Sequence, residues 1–319
     1  MGFAQGFDSF HSEFIDARQN NKLAFAFLKR NVKKKFFLFL HYYDIHSDFD
    51  QLPYDTKSDF DRKFCPDYQS EFEGCKFNIC GSSLLERVNS EHWPITDAEV
   101  DFIKALYDGG IAYTDFHLNR LFDFLRELGI YEKTLIVITA DHGEEFMEHG
   151  KMLHVQLYDE TMHVPLIIKL PHKNEHRRID NPAGVIDIMP TILDIMEIPY
   201  EHLMGESLCP LFDTVKKQNW PVFSFLPDYE TGVSVRDGQF SFFRKKKTST
   251  TELYNVETDP GELRDLSNSA GGMVNEWLSK ISENIKLQLK IKGRFKYKRK
   301  KAVITEEDRE KLKSLGYVD

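Results

Sequence analysis

The stretch TLIVITADHGEEFMEHGK, residues 134–151, sets an apolar, β-prone run directly against Asp141, His142 and Gly143. Branched side chains pack well on a pleated surface, so Leu135–Thr139 reads as a short buried strand. Open α/β sheets bind ligands outside the carboxyl ends of their strands, and a carboxylate and an imidazole stand at that position here. Upstream, Thr96-Asp97-Ala98-Glu99 has the pattern of a capping box, and Gly129 stops the helix it opens. The helix expected between them, Thr96–Leu128, has Ile103, Leu106, Ile111, Phe122 and Leu125 on its apolar side. Further back, residues 12–31 predict an amphipathic helix with Phe14, Ala17, Phe25 and Leu28 apolar, and Lys33–Lys35 lead into a second apolar run, Phe36–Leu40. Downstream follow an expected strand Val164–Lys169 and a helix Ile186–Met196 that contains Pro190. Alternation of this kind predicts an α/β fold with an open, mostly parallel central sheet and helices on both faces.

The 319 residues, 41% hydrophobic and 13% aromatic, suffice for a sizeable core. A formal net charge of −9 disfavours nucleic acid or an anionic membrane as partner of the body as a whole. The apolar run near the N-terminus, Phe36–Leu40, is far shorter than the roughly 20 residues of a spanning helix, so no membrane segment is expected. Residues 1–20 have no basic start followed by an apolar stretch, so they do not read as a secretory signal, and localisation stays open. Cys65, Cys75, Cys80 and Cys209 fit neither a disulfide framework nor a zinc spacing, although Cys75 and Cys80 are close enough in sequence to pair.

Residues 49–93, rich in Asp, Cys, Gly and Asn, predict a long irregular excursion of the kind that often covers a site. From about Trp220 the texture changes. Val222–Phe225, Gly232–Arg236, Phe240–Arg244 and Glu252–Val256 are short β-like runs separated by turn residues, an expected antiparallel meander. A helix over about Met273–Leu289 follows, then KIKGRFKYKRKK, residues 290–301, which reads as a solvated basic arm. The division this suggests is an α/β domain over 1–215 and a small antiparallel-sheet and helix subdomain over 216–319.

Two expected strands end in polar clusters: His41, Asp44, His46 and Asp48 after the first, Asp141 and His142 after the second. A hard cation takes carboxylate oxygens and an imidazole adds a nitrogen ligand, so Asp141-His142 is a candidate metal pair, with Gly143 letting the chain turn beside it. His41 and His163 abut expected strands and read as hydrogen-bonded structural histidines. Glu148 and His149 divide between a supporting role and a solvated loop, and Asp187 reads as a helix N-terminal acid.

ITADHGEEFMEHGKMLHVQLYDETMHVPLII, residues 138–168, resembles the C-terminal metal and substrate segment of the sulfatases, members of the alkaline-phosphatase-like superfamily. FFLFLHYYDIHSDFDQLPYD (36–55) is similar to the family's signature of a strand followed by a substrate histidine, and residues 106–143 to the helix and strand ahead of the metal pair. ELYNVETDPGELRDLS (252–267) and EEDREKLKSLGYVD (306–319) are similar to the family's closing subdomain and terminal Leu-Gly-Tyr element. The resemblance implies an alkaline-phosphatase-like fold and metal-dependent hydrolysis of a sulfate ester, on a small molecule or glycan. Asp141 and His142 would then ligate a divalent ion, most simply Ca2+, while His46 and His154 act on the substrate.

One departure bears on activity. The family's Asp-Asp pair and its Cys/Ser-x-Pro-x-Arg motif, whose first residue becomes the formylglycine nucleophile, are not found in this sequence: Cys65-Pro66 and Cys209-Pro210 lack the arginine. The expectation is a truncated chain resembling the C-terminal two thirds of a sulfatase, inactive alone, holding its metal weakly and complemented by an N-terminal segment. The alternatives are a phosphoesterase, phosphonate hydrolase or head-group transferase of the same superfamily, and a non-catalytic remnant.

Overall fold

A computed structural model of the chain describes residues 4–13, 15–47, 53–56, 59–60, 63–64, 82–201, 203–213, 221–226, 232–245 and 248–294. Phe14, Asp48, Cys65, Cys75, Cys80, Trp220, the excursion between 65 and 81, and the tail from 295 with most of its basic run lie outside the described residues. The elements, in chain order, are α1 Ala17–Asn31, α2 Ser82–Glu91, α3 Asp97–Glu127, β1 Ile136–Thr139, β2 Glu145–Phe146, β3 Met152–Leu153, α4 Asp159–Met162, β4 Leu166–Lys169, α5 Ile188–Ile195, α6 Cys209–Asp213, β5 Val222–Phe225, β6 Gly232–Asp237, β7 Phe240–Lys245, β8 Thr250–Asn255 and α7 Gly271–Arg294.

Helices α1 and α3 begin where their sequences satisfy the free N–H groups of a first turn. Asp16 accepts the Gln19 N–H and Gln19 returns the bond, so α1 starts later than the expected residue 12. Thr96 and Glu99 form the same reciprocal box at α3, which ends before Gly129, at φ 67°, a left-handed conformation that glycine adopts without strain. The two helices pack through Ala24, Leu28, Leu121, Leu125 and Ile130, all buried. Each such Leu or Ile withdrawn from water contributes about 1.5–3 kcal/mol.

The expected strand Phe36–Leu40 is not a ladder strand. Phe36, Leu38 and Leu40 pack on the α1–α3 cluster, whereas Phe37 and Phe39 are 62% and 69% exposed. The alternation of a half-buried strand is therefore present without a hydrogen-bonded neighbour among the described residues, and it takes both to make a ladder. Part of the expected excursion is also regular: α2 occupies its end, with Leu85 and Val88 buried in a core shared with Tyr54, Phe102, Ile103, Leu106 and Met152.

The sheet around β1 departs from the parallel expectation. β1 pairs with β4 antiparallel, in register from Ile136↔Lys169 to Thr139↔Leu166, and no parallel pair occurs among the described residues. A parallel neighbour needs a crossover of a dozen or more residues, usually a full helix. Between β1 and β4 the chain instead makes the small β2–β3 ladder and the single turn of α4, then returns to its starting point.

The C-terminal part matches its pattern. β5 to β8 form a four-stranded antiparallel meander in sequence order, and α7 covers one face, burying Trp277 and Ile281 against Val233, Val235, Phe242 and Leu253. Asp237, at the end of β6, accepts bonds from Trp277 Nε1 and Lys280 Nζ, which fixes the rotation of α7 on the sheet. Pro190 lies in the first turn of α5, where its missing N–H breaks no helical bond. Among the described residues no helix is long and apolar enough to cross a membrane.

Candidate active site

The segment leaving β1 is shaped by its approach to α4. Gly143 N–H donates to the Thr161 carbonyl at 2.8 Å and Glu144 N–H to the Glu160 carbonyl at 2.9 Å. A Cβ on residue 143 would collide with the Glu160 carbonyl oxygen, so the glycine is required by backbone contact with α4. Asp141, next to this contact, projects a carboxylate that is 70% exposed, with Oδ1 3.9 Å from His142 Nε2. His142 Nδ1 lies 2.8 Å from the Gly143 carbonyl, which can only accept, so Nδ1 is the donor and Nε2 is the ring nitrogen left for another partner.

Three imidazoles meet beside this pair. One ring nitrogen each of His46, His142 and His154 lie within 4.8 Å of one another. The His142 and His154 rings stack at 3.9 Å, and the His46 centroid is 6.4 and 5.9 Å from theirs. His46, in the segment between α1 and α2, is held by stacking on Tyr43 at 4.4 Å. Burial disfavours the charged form of His154, but Glu144 Oε1 is 3.3 Å from its Nδ1. That carboxylate, backed by Asp141 and Glu145, outweighs burial and raises the pKa of His154 above the ordinary value.

Glu144, whose side chain is only 4% exposed, went unread in the sequence. The signal for it was an acid two residues past a histidine at a strand end, in a position that has to be buried against α4.

The neighbouring candidates separate by environment. Asp44 is fully buried, and its Oδ1 accepts the Ala17 N–H at the start of α1 at 3.0 Å, so it serves the helix. Burial, against the opposing Ala17 bond, pushes its carboxyl up to about 6. His41 and His163, expected against buried strands, are both exposed, because Phe36–Leu40 lacks a ladder and β4 begins only at Leu166. Glu148 pairs with Lys104 at 2.9 Å and accepts the Phe146 N–H, which makes it a brace for the β2–β3 turn. Asp187 accepts the N–H groups of Gly184 and Glu206, both at 2.8 Å, a structural cap as expected.

The donor set bears on the implied ion. Nδ1–H of His142 bonded to a carbonyl, with Nε2 directed outward, is the usual arrangement of a metal-ligating histidine. Asp141 faces the same side. Calcium, however, takes about six to eight oxygens, and the cluster supplies among its three imidazoles only the carboxylates of Asp141 and Glu144, the latter already engaged with His154. The described residues therefore fit two adjacent ligands of a divalent ion but not a calcium shell.

Residues 9–198 match the model of the Sulfatase family, and residues 147–290 match that of the N-sulphoglucosamine sulphohydrolase C-terminal region. Arylsulfatase K of Bos taurus is 28% identical over 186 residues, covering 54% of this chain and 34% of that protein. The chain thus spans about a third of the length of the curated relatives it matches. Among solved structures, phosphonate monoester hydrolase SpPMH from Silicibacter pomeroyi superposes with a TM-score of 0.52 at 25% identity, over 68% of this chain and 46% of that one. BT4656, solved with its substrate D-glucosamine-2-N,6-O-disulfate, superposes with a TM-score of 0.50 at 18% identity, over 69% and 48%. A family match over more than half the chain, from the α1 region through the histidine cluster to α5, places this protein in the sulfatase family.

Proposed function

We propose that the chain forms the anion-binding and metal-facing side of a sulfatase-type centre that hydrolyses sulfate esters of aryl compounds or sugars. The observation that carries this reading is the convergence of His46, His142 and His154, with the His154 ring braced by Glu144. In this reading the His154 imidazolium faces the ester oxygens and donates the proton that the leaving alkoxide needs, and His46 orients the anion from the opposite wall. Asp141 and His142 are the chain's two ligands to a divalent ion, which polarises the ester when bound. Calcium, if it is that ion, is held no tighter than roughly millimolar by this chain, the weak end of protein sites. The nucleophile is a formylglycine on a segment bearing Asp-Asp and Cys-x-Pro-x-Arg.

The test is hydrolysis of p-nitrophenyl sulfate. Residues 1–319 are expected to be inert, and the same chain joined to such a segment and matured to formylglycine is expected to be active. His154→Ala in the joined protein should then lower kcat by about 10²- to 10⁴-fold, the range of general acid catalysis. Turnover by the unextended chain, or a joined protein indifferent to His154→Ala, would refute the assignment. The likeness to a phosphonate monoester hydrolase supports a second reading, in which a phosphonate monoester is the preferred substrate. A higher kcat/KM for p-nitrophenyl phenylphosphonate than for the sulfate would select it.

A further inference from the structure

We propose that His149, Glu160 and Glu262 form a second cation site, distinct from the ester centre, that takes one Zn2+ or a divalent ion of similar chemistry. One ligand atom from each of the three residues lies within 4.8 Å of the others. His149 Nε2, Glu160 Oε2 and Glu262 Oε1 are all withdrawn from solvent and all without a hydrogen-bond partner. Glu262 is 2% exposed as a residue and the His149 side chain 9%. An orphaned buried carboxylate oxygen is costly, because it has given up water and gained no partner, and a cation touching all three atoms removes that cost at once.

Two of the three ligands are held in place by their other contacts. The His149 ring lies flat on Tyr158, with centroids 3.5 Å apart and planes 9° apart, which leaves its Nε2 edge toward the carboxylates. Glu262 fixes its orientation by accepting the Asp159 N–H on Oε2 at 2.9 Å, so Oε1 is the free oxygen. His149 Nε2 and Glu160 Oε2 are 3.6 Å apart, too far for a hydrogen bond. Two zinc bonds of about 2.0–2.2 Å at the tetrahedral angle span roughly 3.4 Å, close to that gap. One imidazole and two carboxylates suit zinc, whereas calcium prefers an oxygen shell more than twice as large.

The ligands also come from different parts of the chain. His149 sits in the turn between β2 and β3, Glu160 on α4, and Glu262 in the segment between β8 and α7. A bound ion therefore fastens the C-terminal subdomain to the loop that carries His142 and His154. This inference does not rest on the proposed reaction.

The experiment is a titration of metal-free 1–319 with Zn2+ by calorimetry, in a His142→Ala/His154→Ala background that removes the other imidazole cluster. One equivalent is expected to bind and to raise Tm, with zinc K-edge absorption showing a single imidazole in the coordination shell. Adding Glu262→Gln, which keeps an oxygen for the Asp159 N–H, should weaken binding at least tenfold and abolish the Tm shift. His149→Gln should do the same and serves as the second variant should Glu262→Gln fail to fold. Absence of zinc uptake in the background protein, unchanged uptake in either folded variant, or more than one imidazole on the metal would overturn the proposal.

Discussion

Gly143 is the residue on which the candidate centre turns, for a reason of packing. Its missing side chain lets β1's continuation lie against the α4 backbone through the Gly143–Thr161 and Glu144–Glu160 bonds, with His142 on the face of the His154 ring and Glu144 at its Nδ1 edge. Gly143→Ala must push α4 away or break these bonds, so a loss of about 1–3 kcal/mol in unfolding free energy is expected from urea denaturation, the range for overpacked sites. A variant as stable as the parent would mean that α4 yields freely.

Glu145, beside Glu144, is fully buried, and burial pushes its carboxyl up to about 7 against the bonds it accepts from Gln156 and Val155. Between the unfolded value near 4.5 and 7 the native state therefore holds a proton that the unfolded chain has released. Stability from this group is complete below pH 4.5 and declines as pH rises toward 7. Glu145→Gln mimics the protonated form, so its Tm should fall less than the parent's between pH 5 and pH 8 by about the same buffers and scan rate; parallel curves would remove Glu145 as the cause.

Helix α3 is the long element that connects the cores, and its start depends on a short polar sequence. Thr96 Oγ1 accepts the Glu99 N–H while Glu99 Oε2 accepts the Thr96 N–H. Thr96→Ala should cost about 0.5–2 kcal/mol, read from the shift in the urea midpoint at constant m-value. This is the kind of feature that the sequence states openly, because capping, glycine stops and period-two alternation are local. For that reason α3, β1 and the four-strand meander were legible with nearly the right ends. The pairing of β1 with β4 was not: a strand's periodicity says which face is buried and nothing about the direction of its neighbour. Phe36–Leu40 illustrates the same point, since its alternation is real and it has no ladder neighbour among the described residues. At the candidate centre, Asp141, His142, His46 and His154 could be singled out because they follow apolar runs or match a known pattern, and the structure brings them together. Glu144 and the His149–Glu160–Glu262 group were missed because burial against α4 and against the segment after β8 is a tertiary fact.

Besides the polar clusters, the N-terminal part of the chain presents aromatic surface. Phe7, Phe10, Phe37 and Phe39 are 40%, 46%, 62% and 69% exposed, and Phe7 lies 6.0 Å from Phe37. Extended backbone with an exposed apolar face is a surface that other chains can pair with or cover. The chain should therefore elute from size exclusion with an apparent mass that rises with concentration, and Phe37→Ser/Phe39→Ser should restore a concentration-independent monomer. A parent chain that is monomeric at every concentration would show that this face is tolerated bare.

The β1–β4 ladder has a mechanical consequence. Its open end is the Ile136↔Lys169 rung and its closed end the Thr139↔Leu166 rung, with the loop of His142 and His154 beyond. Tension applied through the flanking chain peels such a ladder one rung at a time from the open end, so the histidine loop is the last part to come undone. The first rung is also the one with a catch: Lys169 Nζ donates to the carbonyls of Tyr131, Glu132 and Thr134 and lies 4.6 Å above the Tyr131 ring. A single lysine at the end of the strands away from the histidine loop thus sets the force at which the ladder begins to open.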